Sequence, residues 1–169
     1  MRSTLFLTFF IVLNILGEAQ EVNKVIFDEN ASAEILYGSC TVDGFLTSPF
    51  NEWYLPEHSA YSPEIAVLEE AKNYMDSVKI RMILGTWCSD SQREVPRFIK
   101  MFESADFLLS TIEIICVNRG KTAIEAGVEE GYVEFVPTFI FFRGEAEIGR
   151  IVETPSESLE KDMLTILKK

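Results

Sequence analysis

The chain has 169 residues, 47% hydrophobic and 12% aromatic, enough to bury one good core and too few for two comfortable domains. A net charge of −12 and a pI near 4.5 argue against nucleic acid and against anionic membrane surfaces as partners. No cofactor and no metal is expected.

Met1-Arg2-Ser3 opens with one cation, Leu5 to Leu16 is almost wholly apolar, and Gly17-Glu18-Ala19 offers small residues for cleavage before Gln20. This is the pattern of a secretory signal peptide over residues 1–19. The apolar run is short for a bilayer-spanning helix, which needs about 20 residues. The mature chain is therefore expected to be exported to an oxidising or redox-managed compartment, without stable membrane insertion after cleavage.

Residues 20–61 read as an irregular N-terminal extension packed on the domain that follows. Val25-Ile26-Phe27 and Ala33 to Leu36 form brief elements at most, and Gly38-Ser39-Cys40-Thr41 carries turn chemistry. The run Pro49-Phe50-Asn51-Glu52-Trp53-Tyr54-Leu55-Pro56 is an aromatic cluster between prolines, read as packing on the domain, and His58 as a surface residue.

From residue 62 the pattern becomes regular. Ser62 and Pro63 open a helix to about Asp76; Val78 to Leu84 is an apolar strand; a helix follows to about Ala105 with Val95, Phe98, Ile99 and Phe102 on one stripe. Thr111 to Val117 reads as a strand covered on both faces, and Thr122 to Glu129 as a short helix. Thr138 to Phe142 and Ile148 to Val152 form a hairpin through Arg143-Gly144-Glu145, and Pro155-Ser156 start a final helix.

Cys88 sits where a strand ends and a helix begins, just after Trp87 and just before the polar run Ser89 to Glu94. Free backbone N–H groups and the positive end of the helix dipole at such a position favour the thiolate, the form that acts as nucleophile. Asp90 opposes this and Arg93 offsets Asp90. Cys116 reads as core, whereas Cys40, in a glycine-bearing segment, is either a resolving thiol or a packed one.

Trp87-Cys88-x-x, Pro96 eight positions after the cysteine, and the distant Val136-Pro137-Thr138 before an apolar strand resemble the thioredoxin superfamily. The wider run Gly85-Thr86-Trp87-Cys88 through Arg93-Glu94-Val95-Pro96-Arg97-Phe98 is similar to exported bacterial thioredoxin-family proteins, and the likeness covers residues 62–169. The resemblance implies an α/β thioredoxin-like fold, a central mixed sheet flanked by helices, and a periplasmic location. It implies that Pro137 is cis and faces Cys88, with Val136 holding substrate backbone as an added strand and Trp87 offering an apolar platform.

Two departures shape the expected mechanism. The family's second cysteine, three residues after the first, is Ser91 here, and its buried acid, six residues before the first, is Met82. A hydroxyl cannot form a disulfide, though it can donate a hydrogen bond to the Cys88 sulfur. A mixed disulfide on Cys88 then leaves by an external thiol, by another substrate cysteine, or by Cys40. The expected function is thiol–disulfide exchange through one active cysteine, with protein or low-molecular-weight thiols and disulfides as partners. A non-catalytic peptide-binding module that uses the Pro137 groove is the alternative; glutaredoxin-like iron–sulfur binding lacks the Cys-Gly-Phe-Ser motif.

Overall fold

The computed structural model describes residues 21–169; the expected export signal over 1–19 lies outside the described residues. Six strands form one mixed sheet in the order β1-β2-β4-β3-β5-β6. They are β1 (Lys24–Asp28), β2 (Ala33–Cys40), β3 (Val78–Leu84), β4 (Ile112–Cys116), β5 (Thr138–Arg143) and β6 (Ala146–Val152). Only β3 and β4 are parallel, in register from Ile80↔Ile112 to Leu84↔Cys116; every other pair is antiparallel. The helices are α1 (Val42–Phe45), α2 (Asn51–Ala60), α3 (Ile65–Ala71), α4 (Ser89–Ser104) and α5 (Leu159–Leu167).

The central position of β3 explains its sequence. A strand paired on both edges and covered on both faces must be apolar almost throughout, and only Lys79 and Arg81 escape burial in Val78-Lys79-Ile80-Arg81-Met82-Ile83-Leu84. Alternation then divides the interior in two. Ile80, Met82 and Leu84 join Ile114, Cys116, Phe139 and Phe141 and the buried residues of all five helices in the larger cluster. Ile83 joins Ile115, Val117 and Ile140 on the other face, roofed by Ala123, Val128, Val133 and Val136 from the β4–β5 connection.

Three sequence expectations are corrected here. The described part of the extension, 21–61, holds regular elements where irregular chain was expected: β1 and β2 pair from Lys24↔Tyr37 to Asp28↔Ala33, and β2 carries on into the main sheet against β4. The Asp28 carboxylate closes the hairpin by accepting the N–H groups of Asn30 (2.8 Å) and Ala31 (3.1 Å), an Asx turn. The aromatic cluster is helical, with Pro56 inside α2. An interior proline costs about 3 kcal/mol, but α2 is held elsewhere. Tyr54 stacks on Phe45 at 5.5 Å, Glu57 pairs with Arg97 at 2.9 Å, and His58 Nε2 lies 2.8 Å from Glu103 Oε2. His58, read as a surface group, thus ties α2 to α4.

The expected helix over 122–129 shrinks to a 3₁₀ turn at Ile124–Ala126. Gly127 adopts a left-handed conformation (φ 74°), Ala126 N–H closes back on Ala123 O at 2.9 Å, and Ala123 bridges to Val128. A residue at positive φ ends a helix. The helix begun near Ser62 is likewise shorter, α3 followed by a 3₁₀ turn over Lys72–Tyr74. The last helix starts at Leu159, not at Pro155, and is capped by Ser158, whose side chain accepts the Lys161 N–H.

Phe98 is fully buried, stacked on Phe139 at 4.3 Å and on Phe102 at 5.1 Å, and so joins α4 to the middle of the sheet. Phe98→Ala should lower unfolding stability by about 3–5 kcal/mol. Urea titration should show a lower midpoint with an unchanged slope.

Candidate functional site

The site is built where β3 runs out. Gly85 and Thr86 turn the chain, Trp87 and Cys88 follow, and α4 begins at Ser89 with Cys88 in the N-cap position (φ −96°, ψ 126°). The Cys88 carbonyl accepts the Gln92 N–H at 2.9 Å and opens the helical ladder. The N–H groups of Ser89, Asp90 and Ser91 lie in the first turn, where a helix offers no internal acceptors.

Gly85 is the hub of the turn. Its carbonyl accepts the Cys88 N–H at 2.9 Å and its N–H donates to Ser91 Oγ at 3.3 Å. A Cβ on Gly85 would fall 2.5 Å from the Trp87 ring, so the indole occupies the space that any other side chain would need. The indole N–H donates to Val117 O at 3.0 Å, and the Arg119 guanidinium lies over the ring at 4.4 Å, a cation–π contact. Arg119 is placed in turn by Asp28, whose second carboxylate oxygen accepts the Arg119 backbone N–H at 2.7 Å. The N-terminal hairpin therefore positions the residue before the cysteine.

Cys88 is half-buried, and its thiol donates to the Val136 carbonyl at 3.2 Å. The Val136–Pro137 bond is cis. Cys88, Trp87, Val136 and Pro137, four separate sequence expectations, thus meet at one end of the sheet. Ser91 joins them differently from expectation. It is fully buried one turn along α4, and its hydroxyl oxygen accepts the Gly85 N–H while the Cys88 thiol donates to Val136.

The charges along α4 are paired. Arg93 reaches Asp90 (2.8 Å) and Glu94 (2.6 Å), so the carboxylate nearest Cys88 is neutralised as expected. Glu94 is buried and also faces Arg97 at 3.9 Å. Arg97 lies over the Tyr61 ring, whose hydroxyl donates to the buried Glu160 at 2.7 Å. Burial, with Glu160 beside it, pushes the Tyr61 phenol above its ordinary range.

Cys40 does not join the site. Its thiol donates to the Gly38 carbonyl at 3.5 Å within β2, and it packs with Cys116 in the larger cluster, whereas Cys88 packs against the smaller one. Burial pushes the Cys116 thiol well above its usual value. Among the described residues no group of His, Cys, Asp or Glu is arranged to hold a metal ion, and no helix is long and apolar enough to cross a membrane. Sequence reasoning missed Arg119 and Gln92, whose side-chain amide donates to Thr86 O at 2.8 Å. No local pattern marks either, because their partners lie across a turn or in another strand.

Two measurements probe this framework. Gly85→Ala must expel the indole and should cost about 1–3 kcal/mol, as overpacking does. In a Trp53→Phe background, which leaves Trp87 as the sole tryptophan, the emission should shift to the red as the ring becomes exposed. The Asp28 carboxyl is held below the ordinary value of 3.8, chiefly by the Arg119 N–H. A depressed carboxylate stabilises the fold fully above that value and loses its contribution as pH falls through and below it. Asp28→Asn should therefore unfold more easily at neutral pH and show a shallower loss of stability between neutrality and strong acid.

No family model matches the chain, and no curated protein is similar to it. Among solved structures, one similar chain is a Pseudomonas aeruginosa protein of unknown function, with a TM-score of 0.45 and 17% identity over 70% of this chain and 81% of that one. An HIV epitope scaffold is similar at a TM-score of 0.43 and 18% identity, again over 70% of this chain and 81% of that one.

Proposed function

We propose that the chain is a thioredoxin-like thiol–disulfide exchange protein, exported to the periplasm, that works through Cys88 alone and forms mixed disulfides with protein or low-molecular-weight thiols. The observation that carries this reading is the placement of Cys88 at the N-cap of α4, half-buried, with its sulfur 3.2 Å from the Val136 carbonyl.

The residues divide the work as follows. An extended substrate that donates a backbone N–H to the Val136 carbonyl displaces the Cys88 S–H from it and frees the sulfur in the same movement. Cys88 loses its proton to solvent and the thiolate attacks the nearer substrate sulfur. A Cys88–substrate S–S bond forms, the substrate S–S bond breaks, and the departing thiolate takes up a proton. Trp87, locked by Val117 and Arg119, shields one side of the sulfur. Ser91 holds the turn through Gly85 and has no sulfur with which to resolve the intermediate. An external thiolate does so by attacking the substrate sulfur, which expels Cys88 as thiolate and leaves a disulfide between that thiol and the substrate; a second substrate thiolate does so by the same attack and leaves a rearranged substrate disulfide.

A second reading, a peptide-binding module in which Cys88 does no chemistry, draws on the same contact, since the Val136 carbonyl already occupies the thiol. Intact-mass measurement after exposure to glutathione disulfide separates the two. Wild type should gain one glutathione and release it to excess thiol, Cys88→Ser should gain none, and Cys40→Ser should behave as wild type. Ser91→Cys places a thiol one helical turn from Cys88 and should convert the adduct to an internal disulfide with partial reductase turnover, because Met82 supplies no acid. No adduct on folded wild type would favour the binding module.

A further inference from the structure

Two cavities open beside the cysteine turn. One, of about 330 Å³, is lined by Trp53, Pro56, Glu57, Ser89, Gln92 and Arg93. The other, of about 450 Å³, has Glu34, Phe50, Glu52, Trp53, Trp87 and Gln92 in its walls. They share Trp53 and Gln92, and the residues on both sides of Cys88, Trp87 and Ser89, line one or the other. One wall is therefore the cysteine turn and the other is α2 with the β1–β2 hairpin, the segment that the proposed exchange chemistry does not use.

The lining has a sign. Its charged residues are Glu34, Glu52, Glu57 and Arg93. Arg93 is already bound by Asp90 and Glu94, and Glu57 by Arg97. Glu34 and Glu52 are exposed and have no ion-pair partner among the described residues. Arg119 lies on the Trp87 ring and does not line either cavity. What remains open to a ligand is the Trp53 indole and two unpaired carboxylates, the combination that receives a guanidinium or ammonium group, by ion pairing at the rim and by stacking on indole.

We propose that this cleft selects the substrate: the disulfides Cys88 attacks are those in peptide segments with Arg or Lys beside the cysteine. The proposal rests on the exchange reading of Cys88. Backbone docking on Val136 sets the register, and the neighbouring side chains of the substrate enter the cleft, where Trp53 stacks and Glu34 and Glu52 pair. Acidic thiols, glutathione among them, gain nothing there and react more slowly.

The test uses the intact protein and three synthetic peptides, each with one cysteine joined in a mixed disulfide to a chromophoric nitrobenzoate thiol. The cysteine is flanked by two Arg, two Gln or two Glu. Attack on the peptide sulfur forms the Cys88–peptide disulfide and expels the coloured thiolate, which reports the second-order rate. At low salt the Arg peptide should react roughly tenfold or more faster than the Glu peptide, with the Gln peptide between, and high salt should compress the spread. Glu34→Gln with Glu52→Gln should narrow the Arg-to-Glu ratio about threefold or more, as loss of exposed pairs does. Trp53→Ala should slow the Arg peptide more than the Gln peptide. Glu69→Gln with Glu70→Gln, on α3 and outside both cavities, makes the same change in net charge and should leave the ratio in place. Equal rates for the three peptides, a preference for Glu, or equal narrowing by the α3 pair would overturn the proposal while leaving exchange intact. Failure of folded wild type to release colour from any peptide, while the urea-unfolded chain does so, would overturn the exchange reading itself and this inference with it.

Discussion

The absence of a side chain at Gly85 is the constraint on which this end of the molecule depends. The indole of Trp87 stands where a Cβ would be, 2.5 Å away, while the glycine N–H and carbonyl are taken by Ser91 and Cys88. Three neighbours in sequence are thereby fixed by one residue that contributes no side-chain atoms. The consequence spreads outward: the fixed indole takes Val117 O as acceptor and Arg119 as a lid, and Arg119 is pinned by Asp28. A hairpin some sixty residues upstream in the chain thus helps to set the approach to Cys88.

Electrostatics on α4 follows from the same geometry. A carboxylate two residues into a helix that starts at a cysteine opposes negative charge on the sulfur, yet an acidic first turn complements the helix dipole. Arg93 reconciles the two by binding Asp90 on one side and Glu94 on the other. The buried Glu94 needs such partners, because a buried carboxylate without them is strongly destabilising. Arg97 then extends the line to Glu57 on α2. Arg93 is thus engaged within α4 and Arg97 between α4 and α2, while Glu34 and Glu52 on the opposite rim have no ion-pair partner among the described residues.

What could be read from the sequence was what local pattern determines. Apolar runs placed β3, β4 and β5 within a residue or so, and the break from Leu84 through Gly85 to a polar helix start located Cys88 correctly. The α/β architecture followed. The N-terminal segment was illegible because its signals are tertiary: β1 leaves Val25 and Phe27 exposed, so its alternation is blurred, and α2 contains a proline that local propensity forbids. Contacts with Phe45, Arg97 and Glu103 override that propensity, and none of them is a neighbour in sequence. Spacing brings Ser91 one turn from Cys88 but cannot tell that its hydroxyl oxygen will accept the Gly85 N–H.

The three cysteines show how topology, and not composition, makes one thiol available. Cys116 and Leu84 are register partners on the parallel strands β4 and β3, and both face the larger cluster. Continuing β3 as a strand would have sent alternate residues back into that cluster, and a cysteine there would be sealed as Cys116 is. The turn at Gly85 breaks the alternation, carries the chain over the strand ends and brings Cys88 against the smaller cluster, where the β4–β5 connection supplies the Val136 carbonyl as its hydrogen-bond partner. That face has only a short 3₁₀ turn where a longer helix would have covered it. The shortness of the covering leaves Cys88 half-buried, while Cys40 and Cys116 are sealed in the larger cluster.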